Sequence, residues 1–287
     1  MAEIALYKVE AKATWCPGCG DFAVLRGLQI ALASLGLNPK DVVIVSGIGC
    51  SSNLPGFLNS YGFHGLHGRA VPVASGIKLA NHDLTVIIAG GDGDGYGIGL
   101  GHFIHAMRRN LDITYVVMNN QVYGLTTGQA APTSEKGMLT KSTPQGVLEG
   151  PVNPIALALV SGATFVARGF SGDADHLARL TEDGIKHKGF SLIDIMSPCV
   201  TYNRQNTYQW FRERVYRLEE DNHDIQSVNQ ALKRSQEWED RIPLGVFYKN
   251  PKPTYEGEEQ VLKDIPLVHQ PIDGTVELVK QLMNDFT

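Results

Sequence analysis

Two short apolar segments constrain this chain more than any other feature, because each ends in glycine or in side chains that carry oxygen. Residues 85–89 are rich in β-branched side chains and predict a buried strand, and Gly-Gly-Asp-Gly-Asp-Gly follows at residues 90–95. Residues 113–118 predict a second strand, which is followed by Asn-Asn at residues 119–120. A helix is predicted between them at residues 98–107. The two strand ends therefore suggest a site for a hydrated cation and a phosphate group.

The glycine-rich segment matches none of three common motifs. No register of residues 90–101 gives the Gly-x-Gly-x-x-Gly of a dinucleotide site, and the chain lacks the Gly-Lys-Ser/Thr of a P-loop. An EF-hand that began at Asp92 would place Tyr96 and Phe103 at ligand positions. What remains is a pair of oxygen ligands for magnesium, Asp92 and Asn120, beside glycines that let backbone amides approach a diphosphate. The alternative is a glycine-rich turn with a capping aspartate and no ligand.

Cysteine placement is the second distinctive pattern. The sequence contains four cysteines: Cys16, Cys19, Cys50 and Cys199. The first two form a Cys-x-x-Cys pair, and the last two follow strands predicted at residues 42–45 and 190–196. Because the carboxyl ends of parallel strands share one edge of a sheet, the last two are expected near the cation site. A structural zinc site, an iron–sulfur site and buried unreactive thiols all remain open at this point.

The alternation of strands and helices predicts an α/β fold, a mainly parallel sheet with helices on both faces. The other predicted elements are helices at residues 154–161, 173–188 and 275–283, a strand at 164–167, loops at 61–68 and 123–129, and a helix that carries Tyr208, Phe211, Val215 and Leu218. A hydrophobic fraction of 43% permits a substantial core. Asp21 is predicted to cap a helix that ends at Gly36.

Charge and hydropathy limit the partners. A net charge of −5 without a basic block argues against nucleic acid. We find neither a secretory apolar core near the first residue nor an apolar segment fit to span a membrane, so we expect a cytoplasmic protein that does not bind membranes. Residues 42–68 and 113–134 contain no Asp, Glu, Lys or Arg, which indicates that a ligand or another chain covers them.

Five motifs, in order, resemble the β subunit of the 2-oxoacid:ferredoxin oxidoreductases. The similarity spans about residues 12–220. The motifs are Trp-Cys-Pro-Gly-Cys-Gly at residues 15–20, Gly-Ile-Gly-Cys-Ser at 47–51, Gly-Leu-His-Gly-Arg-Ala at 65–70, Gly-Asp-Gly-Asp at 91–94 and Pro-Cys at 198–199.

The resemblance implies a thiamine-diphosphate-binding fold in which the four cysteines hold a [4Fe–4S] cluster beside thiamine diphosphate. Residues 1–220 would form the diphosphate-binding domain with the iron–sulfur site, and residues 221–287 a C-terminal extension that contacts another subunit. The implied magnesium ligands are Asp92, the Asn120 side chain and the Val122 carbonyl. The residues implied to bind thiamine diphosphate are Ile48, Gly49, Cys50, Ser51, His67, Gly91, Gly93, Asp94, Asn119, Gly124 and Leu125.

The implied reaction is the oxidative decarboxylation of a 2-oxoacid with coenzyme A, with electrons passing through the cluster to ferredoxin. The glutamate that activates thiamine is missing from this chain, so the resemblance places it on an α subunit, or a fused αγ subunit, with the pyrimidine-binding domain. Two αβ pairs are expected to associate. Within this chain the one candidate for a catalytic role is His67. Amides of Gly18 and Gly20 are expected to donate hydrogen bonds to the cluster sulfurs, with Trp15 as cover.

Residues 123–129 resemble the loop of members that act on 2-oxoglutarate or on a broad range of 2-oxoacids, and residues 203–215 look more similar to the 2-oxoglutarate members than to those that act on pyruvate. Some of those members carry a lysine where Thr127 stands, so a partner arginine is expected to bind the second substrate carboxylate. The alternatives are a pyruvate:ferredoxin oxidoreductase subunit, a thiamine decarboxylase without electron transfer, and a zinc-stabilised binding protein.

Overall fold

The computed structural model describes residues 4–271 and 275–285, which alternate between strands and helices along most of their length. The strands are β1 (Val42–Ser46), β2 (Tyr61–His64), β3 (Thr85–Gly91), β4 (Ile113–Asn119), β5 (Val122–Tyr123), β6 (Gln129–Ala130), β7 (Phe165–Phe170), β8 (Ser191–Met196), β9 (Val215–Arg217) and β10 (Ile242–Lys249). The α-helices are α1 (Asp21–Ser34), α2 (Ala70–Ala80), α3 (Leu100–Arg109), α4 (Pro154–Val160), α5 (Ala174–Lys186), α6 (Tyr208–Arg212), α7 (Val228–Ser235), α8 (Tyr255–Glu258) and α9 (Thr275–Asp285).

Eight strands form one mixed sheet in the order β2-β1-β3-β4-β8-β7-β10-β9. The first six strands in that order are parallel to one another, and β10 pairs antiparallel with β7 and parallel with β9. Strands β1, β4, β7 and β8 are buried at every position, as expected when both faces of a sheet are covered. The predicted α/β fold with a mainly parallel sheet is confirmed.

Helices cover the sheet on both faces, and each face has its own hydrophobic core. Helices α1 and α5 pack against each other on one face, above Ile44, Ile87 and Ile193. Helices α2, α3 and α4 lie on the other face with Val45, Tyr115 and Leu192. Alternate strand residues point to opposite faces, so neighbouring positions in one strand enter different cores. This alternation decides which side chains can reach the site.

Three predicted elements differ from the structure. The predicted loop at residues 61–68 begins with β2, an exposed edge strand that pairs with β1. The predicted loop at residues 123–129 is a short hairpin between β5 and β6. The predicted helix from Tyr208 to Leu218 stops at Arg212, because β-branched Val215 pairs with Ile242 of β10 instead.

The segment after residue 220 contributes β10 to the main sheet, where Phe247 is buried against α7 and α4 residues. The predicted helix near the end of the chain is present as α9. Among residues 4–271 and 275–285, no helix is both long and apolar enough to cross a membrane.

Candidate functional site

The carboxyl ends of four neighbouring strands meet at one edge of the sheet. In register, Ser46 of β1 pairs with Ala89 of β3, Gly91 of β3 pairs with Met118 of β4, and Asn119 of β4 pairs with Met196 of β8. The loops after these strands carry Cys50, Asp92, Asn120 and Cys199. The expected convergence of the cysteines and the oxygen ligands at one edge is therefore present.

A cavity of about 210 Å³ opens at this edge. Most residues that the sequence motifs single out line it: Ile48, Gly49, Cys50, Ser51, His67, Gly91, Asp92, Gly93, Asp94, Asn120, Val122, Gly124 and Leu125. Four further residues line it: Tyr123 and Thr126 belong to the loop at residues 123–129, whereas Asp21 and Met118 are residues that sequence reasoning did not associate with the site. The hydroxyl of Ser51 is buried and makes no hydrogen bond to any described residue, so it is free to donate to a bound group.

Asp92 lies at the floor of this cavity and is 2% exposed. Burial raises the pKa of its carboxyl group to about 7, although a hydrogen bond from Thr133 opposes that rise. No cationic side chain among the described residues pairs with Asp92. A buried carboxylate is costly without a positive partner, so its position suits a bound cation.

Asn120 and Val122 reach the same cavity through a tight turn. Between them Gln121 adopts a left-handed conformation with φ of 58°, which is uncommon for this residue type. The Asn120 side-chain oxygen accepts a hydrogen bond from the Val122 amide at 3.0 Å, and it keeps a second lone pair for a ligand. The donor set of Asp92, Asn120 and the Val122 carbonyl consists of hard oxygens, which fits magnesium.

Asn119 is placed differently from the expectation that it contacts the cofactor. Its side chain donates to Asp194 at 3.2 Å and lines a separate cavity of about 470 Å³. The reason is strand geometry, because successive side chains of β4 point to opposite faces and Asn120 takes the face toward Asp92.

The carboxylate of Asp94 joins three loops at the mouth of the cavity. One of its oxygens accepts hydrogen bonds from the Ile48 amide at 2.9 Å and the Gly68 amide at 2.7 Å, and it lies 2.9 Å from Nδ1 of His67. His67 itself is partly exposed and faces the Tyr123 ring. Asp94 therefore positions the loops that line the cavity, and its contact with Nδ1 fixes the position of the partly exposed His67 ring.

We expect Asp94→Ala to lower the free energy of unfolding by about 3 kcal/mol, since two amides and one imidazole lose a shared charged acceptor. The measurement is urea unfolding at neutral pH. Asp83→Ala is the control, because Asp83 is exposed and lies 3.9 Å from the His82 imidazole. Equal losses in the two variants would contradict the role given to Asp94.

The four cysteines line a second cavity of about 280 Å³, together with Trp15 and Tyr202. The two cavities adjoin, because Cys50, Asn120, Gly124 and Leu125 line both of them. All four thiols are free. No group of three or more Cys, His, Asp or Glu side chains in the described part of the chain converges as a single metal ion requires.

Burial and mutual repulsion disfavour thiolates in this cavity. Burial raises the pKa of Cys50 to about 12, with further increases from Asp21, Cys199 and Cys16. The pKa of Cys19 is raised even further, first by burial and then by Asp21. Thiolate ligands in such a place need a positively charged metal group beside them.

Trp15 and Gly20 show how the Cys-x-x-Cys loop is held. The Trp15 indole is buried, packs edge-on against Phe22 and Phe57, and donates to the Cys50 carbonyl at 2.7 Å. The Gly20 amide donates to the Pro198 carbonyl at 3.3 Å, which contradicts the expectation that it donates to a sulfur. This amide instead ties the first cysteine loop to the loop that carries Cys199.

Asp21 begins α1 but does not cap it, contrary to prediction, because Gly20 occupies the capping position. The Asp21 side chain is buried, lines the first cavity and accepts a hydrogen bond from the Ser197 hydroxyl at 2.8 Å. Burial raises the pKa of this carboxyl group to about 6.

Close packing requires glycine at residue 93 but not at residue 124. A Cβ atom at Gly93 would lie 2.2 Å from the Tyr123 ring, whose hydroxyl donates to the Gly93 carbonyl. A Cβ atom at Gly124 would lie 3.5 Å from the Cys50 sulfur and 3.7 Å from the Cys199 sulfur. These are ordinary contact distances, and they place Gly124, which lines both cavities, beside both sulfurs.

Comparison with known proteins places these features in a family. The family described as "Thiamine pyrophosphate enzyme, C-terminal TPP binding domain" matches residues 47–195. Residues 199–264 match a second family, which describes the C-terminal part of the beta subunit in pyruvate ferredoxin oxidoreductase.

Two curated relatives and one solved structure are similar over most of the chain. The "2-oxoacid:ferredoxin oxidoreductase 1, subunit beta" of Aeropyrum pernix is 50% identical over 88% of this chain and 83% of its own length. The "2-oxoglutarate synthase subunit KorB" of Methanocaldococcus jannaschii is 37% identical over 85% of this chain and 90% of its own. The 2-oxoglutarate:ferredoxin oxidoreductase of Magnetococcus marinus, solved with 2-oxoglutarate, coenzyme A and succinyl-CoA bound, superposes with a TM-score of 0.91 at 39% identity, over 98% of this chain and 95% of that one.

Proposed function

This chain belongs to the β subunits of the 2-oxoacid:ferredoxin oxidoreductases, and we propose that it holds magnesium, thiamine diphosphate and a [4Fe–4S] cluster for the oxidative decarboxylation of 2-oxoglutarate. Coenzyme A would receive the acyl group and ferredoxin the electrons. The observation that carries this proposal is the adjacency of two cavities, one with the buried carboxylate of Asp92 and one with all four cysteines.

The cation and diphosphate positions follow from the residues that line the first cavity. Asp92, Asn120 and Val122 would supply the magnesium ligands, and the turn Gly93–Ile98, whose first two residues line the cavity, would offer backbone amides to the diphosphate. Thiamine diphosphate, when bound, supplies the carbanion-stabilising ring chemistry that releases carbon dioxide from a 2-oxoacid. Ser51 and the loop tied by Asp94 would orient it and exclude water from the cavity.

The arrangement of the cysteines favours a cluster over a zinc ion. Zinc would need sulfurs converging on one point at about 2.3 Å from the metal, and the described residues offer no such convergence. A four-iron cluster is wider, so four cysteines spaced around a cavity suit it better. Cys16, Cys19, Cys50 and Cys199 would then be its ligands, beside the thiamine site.

A second protein chain is needed on chemical grounds. Among the described residues that line the first cavity, no glutamate is present to activate thiamine, and the cavity is open to one side. We propose that an α subunit, or an αγ fusion, closes it with a pyrimidine-binding domain, and that two αβ pairs associate. The exposed edge strand β2 and the chain beyond residue 220 are the surfaces that we assign to contacts between subunits.

A cation that the sequence did not reveal lies beside the loop after β5. The Lys141 ammonium donates to the Thr127 hydroxyl at 2.9 Å, although Lys141 is fourteen residues away in the chain. The preceding residues of that loop, Gly124, Leu125 and Thr126, line the thiamine cavity. A positive charge there favours a substrate with a second carboxylate, such as 2-oxoglutarate, over pyruvate.

We expect Lys141→Met to raise the KM for 2-oxoglutarate about fivefold and to leave the KM for pyruvate unchanged, because an exposed ion pair contributes up to about 1 kcal/mol. Steady-state ferredoxin reduction with both acids measures this. Lys136→Met is the control, since Lys136 is an exposed lysine nearby in the chain. If both acids respond equally, or if Lys136→Met has the same effect, Lys141 does not select the substrate.

The test of the proposed function is anaerobic reconstitution with the α partner. We expect a brown complex that contains iron and labile sulfide and reduces ferredoxin or viologen with 2-oxoglutarate and coenzyme A. This chain alone should not turn over. Colourless protein that contains zinc would support a binding protein, and carbon dioxide release without electron transfer would support a simple decarboxylase. Faster turnover of pyruvate would move the assignment to the pyruvate-specific members.

A further inference from the structure

A buried carboxylate on β8 connects the two segments that carry the thiamine motif. Asp194 is 1% exposed and lies between the apolar residues Ile193 and Ile195 of β8. One of its oxygens accepts a hydrogen bond from the Tyr96 hydroxyl at 2.9 Å and another from the Asn119 amide at 3.2 Å. Asp194 does not line the thiamine cavity, so its hydrogen bonds reach that cavity through these two neighbours.

The two donors belong to the two halves of the motif. The turn Gly93–Ile98 begins directly after Asp92, and it contains Tyr96, whose side chain is buried. Asn119 is the last residue of β4 and directly precedes Asn120. The single carboxylate of Asp194 therefore links the diphosphate turn to the strand end that carries a magnesium ligand.

A buried arginine balances the charge of this carboxylate. Arg168 of β7 is 2% exposed, and its Nε atom lies 3.8 Å from the second oxygen of Asp194. Its guanidinium group also lies over the rings of Trp238 and Phe247, at 5.4 and 5.3 Å from their centroids. Without such a partner an ionised carboxylate in this interior would be strongly disfavoured.

We propose that Asp194 is a positioning residue that sets the spacing between the diphosphate turn and the magnesium ligand Asn120, with Arg168 as its counter-charge. The inference rests on the proposed thiamine diphosphate site. In this role Asp194 would strengthen binding of magnesium and thiamine diphosphate by holding both segments in their bound geometry before the cofactor arrives.

Tyr96 and Tyr115 provide a matched pair of variants for the test. Both hydroxyls are buried, both rings pack against Phe103, and the Tyr115 hydroxyl lies against Gly95 of the same turn. Only the Tyr96 hydroxyl makes a hydrogen bond, since that of Tyr115 has no partner among the described residues. Each substitution by Phe removes one oxygen and keeps the ring.

The experiment is equilibrium dialysis of thiamine diphosphate against the αβ complex at saturating Mg²⁺, together with kinetics and thermal unfolding of the cofactor-free complex. We expect Tyr96→Phe to weaken binding about 10-fold, as the loss of a hydrogen bond to a charged group implies. Tyr115→Phe should weaken binding less than twofold. Maximal turnover at saturating cofactor should change less than threefold in Tyr96→Phe, because the lost contact acts on binding rather than on the reacting atoms.

A double-mutant cycle with Asp194→Asn separates positioning from general destabilisation. If the contact is the link, adding Tyr96→Phe to Asp194→Asn should weaken binding by clearly less than 10-fold further. Equal binding by Tyr96→Phe and Tyr115→Phe, or full additivity in the cycle, would overturn this inference while leaving the proposed function intact. Absence of thiamine diphosphate binding by the unaltered complex would overturn both.

Discussion

Asp92→Asn raises the Mg²⁺ concentration for half-maximal thiamine diphosphate binding by about 100-fold or more, because the proposed site loses its one charged ligand from the protein. The side chain keeps its size and the hydrogen-bonding partner Thr133, so the cavity should persist. Calorimetric titration of the αβ complex with Mg²⁺ at a fixed thiamine diphosphate concentration measures the change. Asp112→Asn, at a partly exposed aspartate bound to lysines away from the site, is the control.

The same substitution should change how stability depends on pH in the metal-free protein. Burial raises the pKa of Asp92 from 3.8 to about 7, so between these values the folded state holds a proton that the unfolded state has lost. Stability contributed by this group is complete below pH 4 and falls as the pH rises toward 7. Asp92→Asn removes that decline and should gain roughly 4 kcal/mol relative to the unaltered chain between pH 4 and pH 8. A parallel pH profile in the two proteins would contradict this assignment.

Cys199→Ser should abolish the cluster and lower ferredoxin reduction by at least about 100-fold, whereas thiamine diphosphate binding should change little. The two effects separate because Cys199 lines the cysteine cavity but not the cavity that contains Asp92. Iron and sulfide analysis, visible absorption and thiamine diphosphate dialysis measure them in parallel.

Thr201→Ser is the matched control for Cys199→Ser. Thr201 lines the same cavity two residues later and cannot act as a thiolate ligand. Its iron content and turnover should remain those of the unaltered complex. Retention of a full cluster in Cys199→Ser, or loss of iron in Thr201→Ser, would show that this cavity is not built around the four cysteines.

The sheet edge could be predicted because local signals agreed. Apolar β-branched segments ended in residues unsuited to a core, at Gly91 and Asn119. Asp92 and Cys50 follow their strands within a few residues, so both had to lie near the carboxyl edge of the sheet. Cys199 is far away in the sequence, but it follows the end of β8 and could therefore be predicted to lie at the same edge.

The other features of the site depend on side-chain contacts between distant segments, which the spacing of residues in the sequence does not reveal. The sequence singled out Asn120 as a magnesium ligand but did not show that Asn119 turns away from the cofactor site, since the pleat of β4 decides which side chain faces Asp92. The cation beside Thr127 comes from Lys141, outside the motif. The charged residue in the apolar segment around Asp194 was a readable signal, but its partner Arg168 appears only once β7 and β8 are neighbours.

Electron paramagnetic resonance of the anaerobic αβ complex, recorded before and after 2-oxoglutarate and coenzyme A are added without ferredoxin, tests the account most directly. If thiamine diphosphate at Asp92 and a cluster on the four cysteines lie side by side in this chain, substrate should produce the signal of a reduced [4Fe–4S] cluster. The signal should be absent in both Asp92→Asn and Cys199→Ser. A complex that contains zinc in place of iron, or a cluster that stays oxidised while carbon dioxide is released, would contradict it.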